Sequence, residues 1–238
     1  MDNIEKNIRH ILQNIQIAEV KRSPKGECPV QLIAVTKNHG VAAVEAAAAA
    51  GLTIVGENRV QEATEKQAQA SANVKWHLIG HLQTNKAKQA VKLFDLIQSV
   101  DSWHLAEALN KAALTCGKRQ DILLQVNIAN EATKFGLPAE ETMDMAQRVA
   151  ATLPGLRLCG LMTIAPFVED AEMVRPYFKE MKRLFLALKE LALPGTDFRW
   201  LSMGMTNDYQ VAVEEGANLI RVGTGIFGPR SYGVQGGL

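Results

Sequence analysis

The stretch QLIAVTKNHGVAAVEAAAAAGLTIVGEN, residues 31–58, reads as strand, helix, strand. QLIAVTK (31–37) and LTIVGEN (52–58) are short runs that are largely apolar on both faces, and the Ala-rich VAAVEAAAAAG between them ends on Gly51, which suits a helix C-cap. Strands buried on both faces and joined by a helix are parallel neighbours covered by helices. The unit recurs along the chain. WHLIG (76–80), FDLIQSV (94–100), DILLQVN (121–127), LRLCGLMTI (156–164), FRWLSMG (198–204) and NLIRVG (218–223) bring the strand-length runs to eight. Between them, Asp101 or Ser102 stands where a helix N-cap belongs, and Pro138 suits a first helical turn. Eight such units in 238 residues predict an α/β fold, a single (β/α)8 barrel of the TIM type, better than an open sheet with a second domain. No Pro/Gly/Ser-rich linker interrupts the chain, so residues 1–238 are expected to form one domain. Residues 2–22 precede the first strand and set Ile4, Ile8, Ile11 and Ile15 on one helical face, which predicts an additional N-terminal helix packed on the barrel.

Charge narrows the possible partners. With 26 Lys+Arg against 25 Asp+Glu the formal net charge is +1, which leaves no basic surplus for a phosphate backbone and argues against nucleic acid. No run reaches the roughly 18 uncharged apolar residues of a membrane span. The start, MDNIEKNIRH, lacks the apolar core of a signal peptide, so a cytoplasmic protein is expected. Cys28, Cys116 and Cys159 are odd in number and far apart, and are expected to be small buried apolar residues instead of disulfides or zinc ligands.

In such a barrel, function sits where strands end, on the C-terminal face. The polar residues there are Lys37, Glu57 with Asn58, His77 with His81, Ser99 with Asp101, Asn127, Thr163 beside Met162, Ser202 with Gly204, and the run from Arg221 to Gly225. Lys37 follows the apolar LIAV, and desolvation of an amine in that setting makes it a nucleophile towards carbonyls; a lysine that only reaches out of the strand end is the other reading. GTGIFG (223–228) matches G-x-G-x-x-G after a strand, but Pro229 follows and no dinucleotide-binding unit is completed. What remains is a glycine turn and a short helix start after the eighth strand, where barrels commonly bind phosphate. Arg221, inside the eighth strand, needs an acceptor: a structural ion pair, for instance with Glu57, or a ligand ring nitrogen. His77 and His81 bracket a strand end, not a helix turn, and no metal site is expected. Lys134, after the fifth strand, is either a second amine on the same face or a solvated loop lysine.

Four segments together carry a resemblance to the pyridoxal phosphate homeostasis protein family, whose fold is like the N-terminal barrel of alanine racemase. LIAVTK resembles that family's Schiff-base strand, GENRVQE its second-strand motif, WHLIGHLQTNK its most characteristic signature, and LSMGMTNDYQVAVEEGANLIRVGTGIFG its phosphate-binding end. Thr36 departs from a pattern in which serine often precedes the lysine. The resemblance implies that Lys37 forms an aldimine with pyridoxal 5′-phosphate, that Ser202, Gly223 and Thr224 hold the phosphate, that Arg221 faces the pyridine nitrogen, and that Asn58, Gly204 and Met205 line the pocket. An arginine always carries its proton, so the ring nitrogen it faces stays unprotonated and the cofactor is a poor electron sink. The implied protein holds pyridoxal 5′-phosphate and serves intracellular homeostasis of that cofactor and amino-acid and keto-acid balance without catalytic turnover. Its expected partners are the cofactor and apo forms of enzymes that need it, and it is expected to be a monomer. A small amino-acid racemase is the alternative, but it needs a second base, and Tyr177, Tyr209 and Tyr232 fall in or beside helices or the tail. A Schiff-base aldolase without cofactor would need neither the phosphate cradle nor Arg221.

Overall fold

The computed structural model describes residues 2–22 and 28–229. Eight parallel strands, β1 (Gln31–Val35), β2 (Ile54–Glu57), β3 (Lys75–Leu78), β4 (Leu96–Val100), β5 (Gln120–Val126), β6 (Leu156–Thr163), β7 (Trp200–Ser202) and β8 (Leu219–Val222), close on one another in chain order. The closure is the β1–β8 pairing, with Ile33 opposite Arg221 and Ala34 opposite Val222. Each expected strand run overlaps one observed strand, with β3 and β5 beginning one residue before their runs. Every run except FDLIQSV overshoots at its C-terminal end because residues such as Thr36 and Lys37 leave the ladder to form the barrel mouth.

Helices α2 (Val41–Ala49), α3 (Val60–Gln69), α4 (Ala87–Leu93), α5 (Trp103–Thr115), α6 (Thr142–Thr152), α7 (Arg175–Glu190) and α8 (Tyr209–Glu214) cover the strands. Ser102 caps α5, its hydroxyl accepting from Leu105 N at 3.3 Å. Pro138 precedes a 3-10 turn at Ala139–Glu141, so α6 begins one turn later than the proline suggests. The predicted N-terminal helix is α1 (Asp2–Lys21). Its Ile8, Ile11 and Ile15 are buried, and Ile4 is partly so. Asn7 Nδ2 donates to Ile226 O at 2.9 Å, so α1 also braces α9 (Thr224–Phe227), the short helix at the barrel mouth.

Burying apolar surface is worth about 25 cal/mol per Å², and here it is drawn from both faces of the strands. Ile33, Ile54, Leu96, Leu123, Cys159, Met162 and Leu219 form one cluster inside the barrel, separate from the larger layer between strands and helices. The cysteines depart partly from expectation: all are free, but only Cys159 is fully buried, and Cys28 and Cys116 are half-buried. Among the described residues no helix is long and apolar enough to cross a membrane.

Candidate functional site

A cavity of about 390 Å³ opens at the C-terminal ends of the strands, within the size range of small-molecule sites. The loops that follow the strands supply its lining. Lys37 comes after β1, Asn58 after β2, Met205 after β7, Arg221 from β8 itself, and Gly223 and Thr224 from the start of α9. The apolar walls are Val35, Ile79 and Ile164, with Pro166, Phe167 and Val168 from the loop after β6.

Two glycines set this geometry. A Cβ on Gly80 would lie 2.5 Å from Asn58 O and 2.8 Å from Asn58 Cβ, so the absence of a side chain in the HLIGHL segment is what lets Asn58 take its place at the mouth. Gly204 has φ +93, a region L side chains rarely adopt, and turns the chain sharply after β7. The turn is locked by Met205 N donating to Asp208 Oδ1 at 2.6 Å. Thr206 Oγ1 then accepts from Thr224 Oγ1 at 3.1 Å and from Gly225 N at 3.3 Å, tying this loop to α9. The ring of His39, just past Lys37, packs 4.9 Å from that of Phe227 and holds the first loop to the same helix.

Arg221 is buried, 4% exposed. Its Nη1 donates to Ser202 Oγ at 2.5 Å and its Nη2 to Thr163 O at 2.7 Å, leaving other N–H donors of the five on a guanidinium for the cavity. Burial pulls its pKa down to about 10, opposed by the nearby carboxylate of Asp208. It is therefore still a cation at neutral pH. Asp208 also lines the cavity, and burial pushes its carboxyl above the usual range, against the opposing pull of the Met205 N–H and of Arg221.

The ion pair suggested between Arg221 and Glu57 is not formed. Glu57 is fully buried and pairs instead with Lys66 of α3, at 2.7 Å; Thr36 Oγ1 donates to the same carboxylate oxygen at 2.5 Å. Lys66 Nζ also donates to Thr36 O and Glu62 Oε1, each at 2.7 Å, so a buried network fixes the backbone immediately before Lys37. Ser202 and Gly204 lie behind the cavity surface. Neither belongs to the cavity lining: Ser202 points into the barrel, accepting from Arg221 and donating to Gln98 Oε1 at 2.6 Å, and Gly204 acts through its turn.

Lys134 stands outside the lining. Its amine donates to Glu131 Oε1 at 2.6 Å and to Ala165 O at 3.1 Å, beside the cavity wall. His77 Nδ1 meets Gln98 Nε2 at 3.0 Å while His81 Nδ1 meets Asp101 Oδ2 at 3.0 Å, so the two rings serve different partners. Asn127 organises the loop after β5 through Glu131, and Thr163 Oγ1 donates to Val126 O at 2.7 Å. Ser99 is buried. Sequence reasoning missed Asp208, Thr206 and the Pro166–Val168 wall. Asp208 occupies the N-cap position of α8, and its place inside the quoted C-terminal motif was the only available signal.

Residues 2–231 match the family model described as alanine racemase, N-terminal domain. The chain is 40% identical over 232 residues to the pyridoxal phosphate homeostasis protein of Pasteurella multocida strain Pm70, covering 96% of this chain and 98% of that one. The chain belongs to the pyridoxal phosphate homeostasis protein family. Among solved structures, PipY of Synechococcus elongatus PCC7942 with PLP bound is 38% identical to this chain, with a TM-score of 0.81 over 94% of this chain and 100% of the other. Alanine racemase of Clostridium difficile 630, at 16% identity and a TM-score of 0.73 over 97% of this chain and 57% of that one, shares the fold.

The cavity suits pyridoxal 5′-phosphate on its own chemistry. It offers one amine, one fully buried cation, hydroxyl donors on Thr206 and Thr224, and apolar walls for a flat ring. At the start of α9 the Gly225 N–H is held by Thr206 Oγ1 at 3.3 Å, and Gly223 packs against Val35, where an added Cβ would rest in ordinary contact at 3.4 Å.

Proposed function

We propose that this protein binds pyridoxal 5′-phosphate in the cavity at the barrel mouth and acts in cytoplasmic homeostasis of that cofactor without turnover of its own. The observation that carries the reading is the convergence of Lys37, Asn58, Met205, Arg221, Gly223 and Thr224 on one cavity. Lys37 presents the amine that holds the cofactor's aldehyde. Gly223 and Thr224 take the phosphate, with Thr206 steadying α9 behind them. Arg221 faces the ring nitrogen, and Ser202 contributes by holding the guanidinium. Gly204 contributes by its turn. The whole of 1–238 acts as one cofactor-binding unit, a monomer whose partners are apo-enzymes that need the cofactor.

When bound, the cofactor supplies an aldehyde and an electron-withdrawing ring. A cationic guanidinium opposite the ring nitrogen keeps that nitrogen unprotonated and weakens the sink that racemisation needs. Neither Tyr177 nor Tyr209 lines the cavity; Tyr209 OH accepts from Asn14 Nδ2 at 3.0 Å, on the α1 side of α8. Tyr232 lies outside the described residues. These placements support a holder of cofactor over a small racemase. The test is to load the protein with pyridoxal 5′-phosphate, mix it with an apo-enzyme, and measure in parallel deuterium exchange into alanine. Transfer with no exchange supports the reading; exchange at enzymatic turnover rates replaces it with the racemase.

A further inference from the structure

At the opposite end of the barrel, where the strands begin, lies a second cavity of about 440 Å³. Its lining is cationic. Lys75 opens β3, Lys118 and Arg119 precede β5, Arg157 lies on β6, and Arg199 precedes β7, against the two carboxylates Asp95 and Asp121. That is five cations and two anions, a formal excess of three in a chain whose net charge is only +1.

The internal pairing does not remove the excess. Asp121 and Arg157 are cross-strand neighbours in the β5–β6 register and meet through two bonds of 2.7 Å, so this pair neutralises itself. Arg199 Nη2 only grazes the same carboxylate at 3.5 Å, and its Nε, without hydrogen-bonding geometry to any acceptor, is paired at 3.3 Å with Asp197 Oδ2, an anion outside the lining that lowers the excess from three to two. Arg119 donates to the carbonyls of Leu156 and Gly195, and Lys118 to that of Val91, which orients these cations but leaves their charge uncompensated. Asp95 is itself engaged, accepting from Trp76 N at 2.8 Å. Like charges gathered in a concave site raise the local concentration of anions. A guanidinium fork with ammonium groups beside it matches phosphate oxygens.

We propose that this bowl is a second anion site, which takes the phosphate or diphosphate group of a small molecule, at the end of the barrel remote from Lys37. A diphosphate matches the charge excess better than one carboxylate can. The inference stands apart from the reading of the first cavity, since it uses none of that cavity's residues.

Trp200 lines the bowl, whereas no tryptophan lines the cavity at the other end. The test titrates inorganic pyrophosphate into isotope-labelled full-length protein and follows the Trp200 indole N–H by NMR, with Trp103 as the distant control. The proposal expects a saturable shift at Trp200, a midpoint that weakens as salt is raised, and binding about tenfold weaker in Lys75→Gln with Lys118→Gln, the two lost charged contacts together being worth on that order. Lys75→Gln alone, at an exposed strand start, serves if the double variant loses stability. No saturable shift, or a shift of unchanged midpoint in the variants, overturns the proposal.

Discussion

Arg221 Nη1 donates to Ser202 Oγ at 2.5 Å, and through that bond the cavity at the barrel mouth is joined to the polar interior of the barrel. Ser202 in turn donates to Gln98, whose amide meets His77 Nδ1 at 3.0 Å. Four strands, β8, β7, β4 and β3, thus each contribute one polar side chain to a line of hydrogen bonds between the two cavities. The hydroxyl expected at the phosphate is already committed on both sides.

Ser202→Ala therefore tests two roles at once. Removing the hydroxyl leaves Arg221 and Gln98, both buried, short of a partner, and each orphaned polar group costs about 1–3 kcal/mol. The expected result is a fall in unfolding stability of that order, measured by urea denaturation without cofactor. A variant of unchanged stability that loses only cofactor affinity would return Ser202 to direct phosphate contact.

His77 should give the protein an acid-sensitive component of stability. Burial, with Lys75 adding to it, lowers its pKa from 6.5 to about 3. The unfolded chain takes up the proton near 6.5 and the folded one does not, so the stability of the neutral buried ring is fully present above about 6.5 and drains away as pH falls towards about 3. The slope over that window is up to about 1.4 kcal/mol per pH unit. His77→Gln should flatten the acid limb between pH 6.5 and 3 in denaturant titrations; an unchanged limb would show that other groups set it.

Gly80→Ala should weaken cofactor binding through Asn58, although Gly80 itself does not line the cavity. The new Cβ would meet Asn58 Cα at 2.7 Å, and backbone cannot yield as a flexible side chain does. Asn58 is displaced from the mouth. Fluorescence titration with pyridoxal 5′-phosphate should show a dissociation constant raised about tenfold, for a loss on the order of 1.4 kcal/mol. Equal affinity would remove Asn58 from the site.

The buried Glu57–Lys66 pair predicts an asymmetry between variants. Lys66→Met leaves Glu57, whose Oε2 already lacks a partner, as an uncompensated buried carboxylate, at a cost of about 3–5 kcal/mol. Burial raises the Glu57 pKa, so its folded form holds a proton more tightly than the unfolded chain does. The stability this gives is present at acid pH and is lost as pH rises. Lys66→Met with Glu57→Gln should recover part of the loss at neutral pH; a double variant as unstable as the single one would mean that the packing of the lysine stem dominates.

The barrel was legible because its strands are buried on both faces, so that QLIAV, LIQSV and LRLCGLMT stand out as apolar runs between helices. The residues that leave those runs at their C-terminal ends were legible for the same reason: Lys37, Asn58, Gly223 and Thr224 all follow a strand. Side-chain direction was not. Whether Ser202 faces the mouth or the interior depends on register with Met162 and Leu219 on the neighbouring strands, which no local pattern encodes. Asp208 and the Phe167 wall were hidden because the segments that carry them are loops with no periodicity. The partner of Glu57 was missed because Lys66 reads as one more polar residue on a helix until α3 is laid against β2.

The proposed binding of pyridoxal 5′-phosphate turns on the amine of Lys37. Borohydride reduction of the loaded protein, followed by peptide mapping, measures it most directly. The expected result is reduced cofactor on Lys37, its loss in a stably folded Lys37→Ala variant, and weaker, dialysable binding through Gly223, Thr224 and Arg221 in that variant. Reduced cofactor recovered mainly on another lysine of the unaltered protein, Lys134 included, would contradict it.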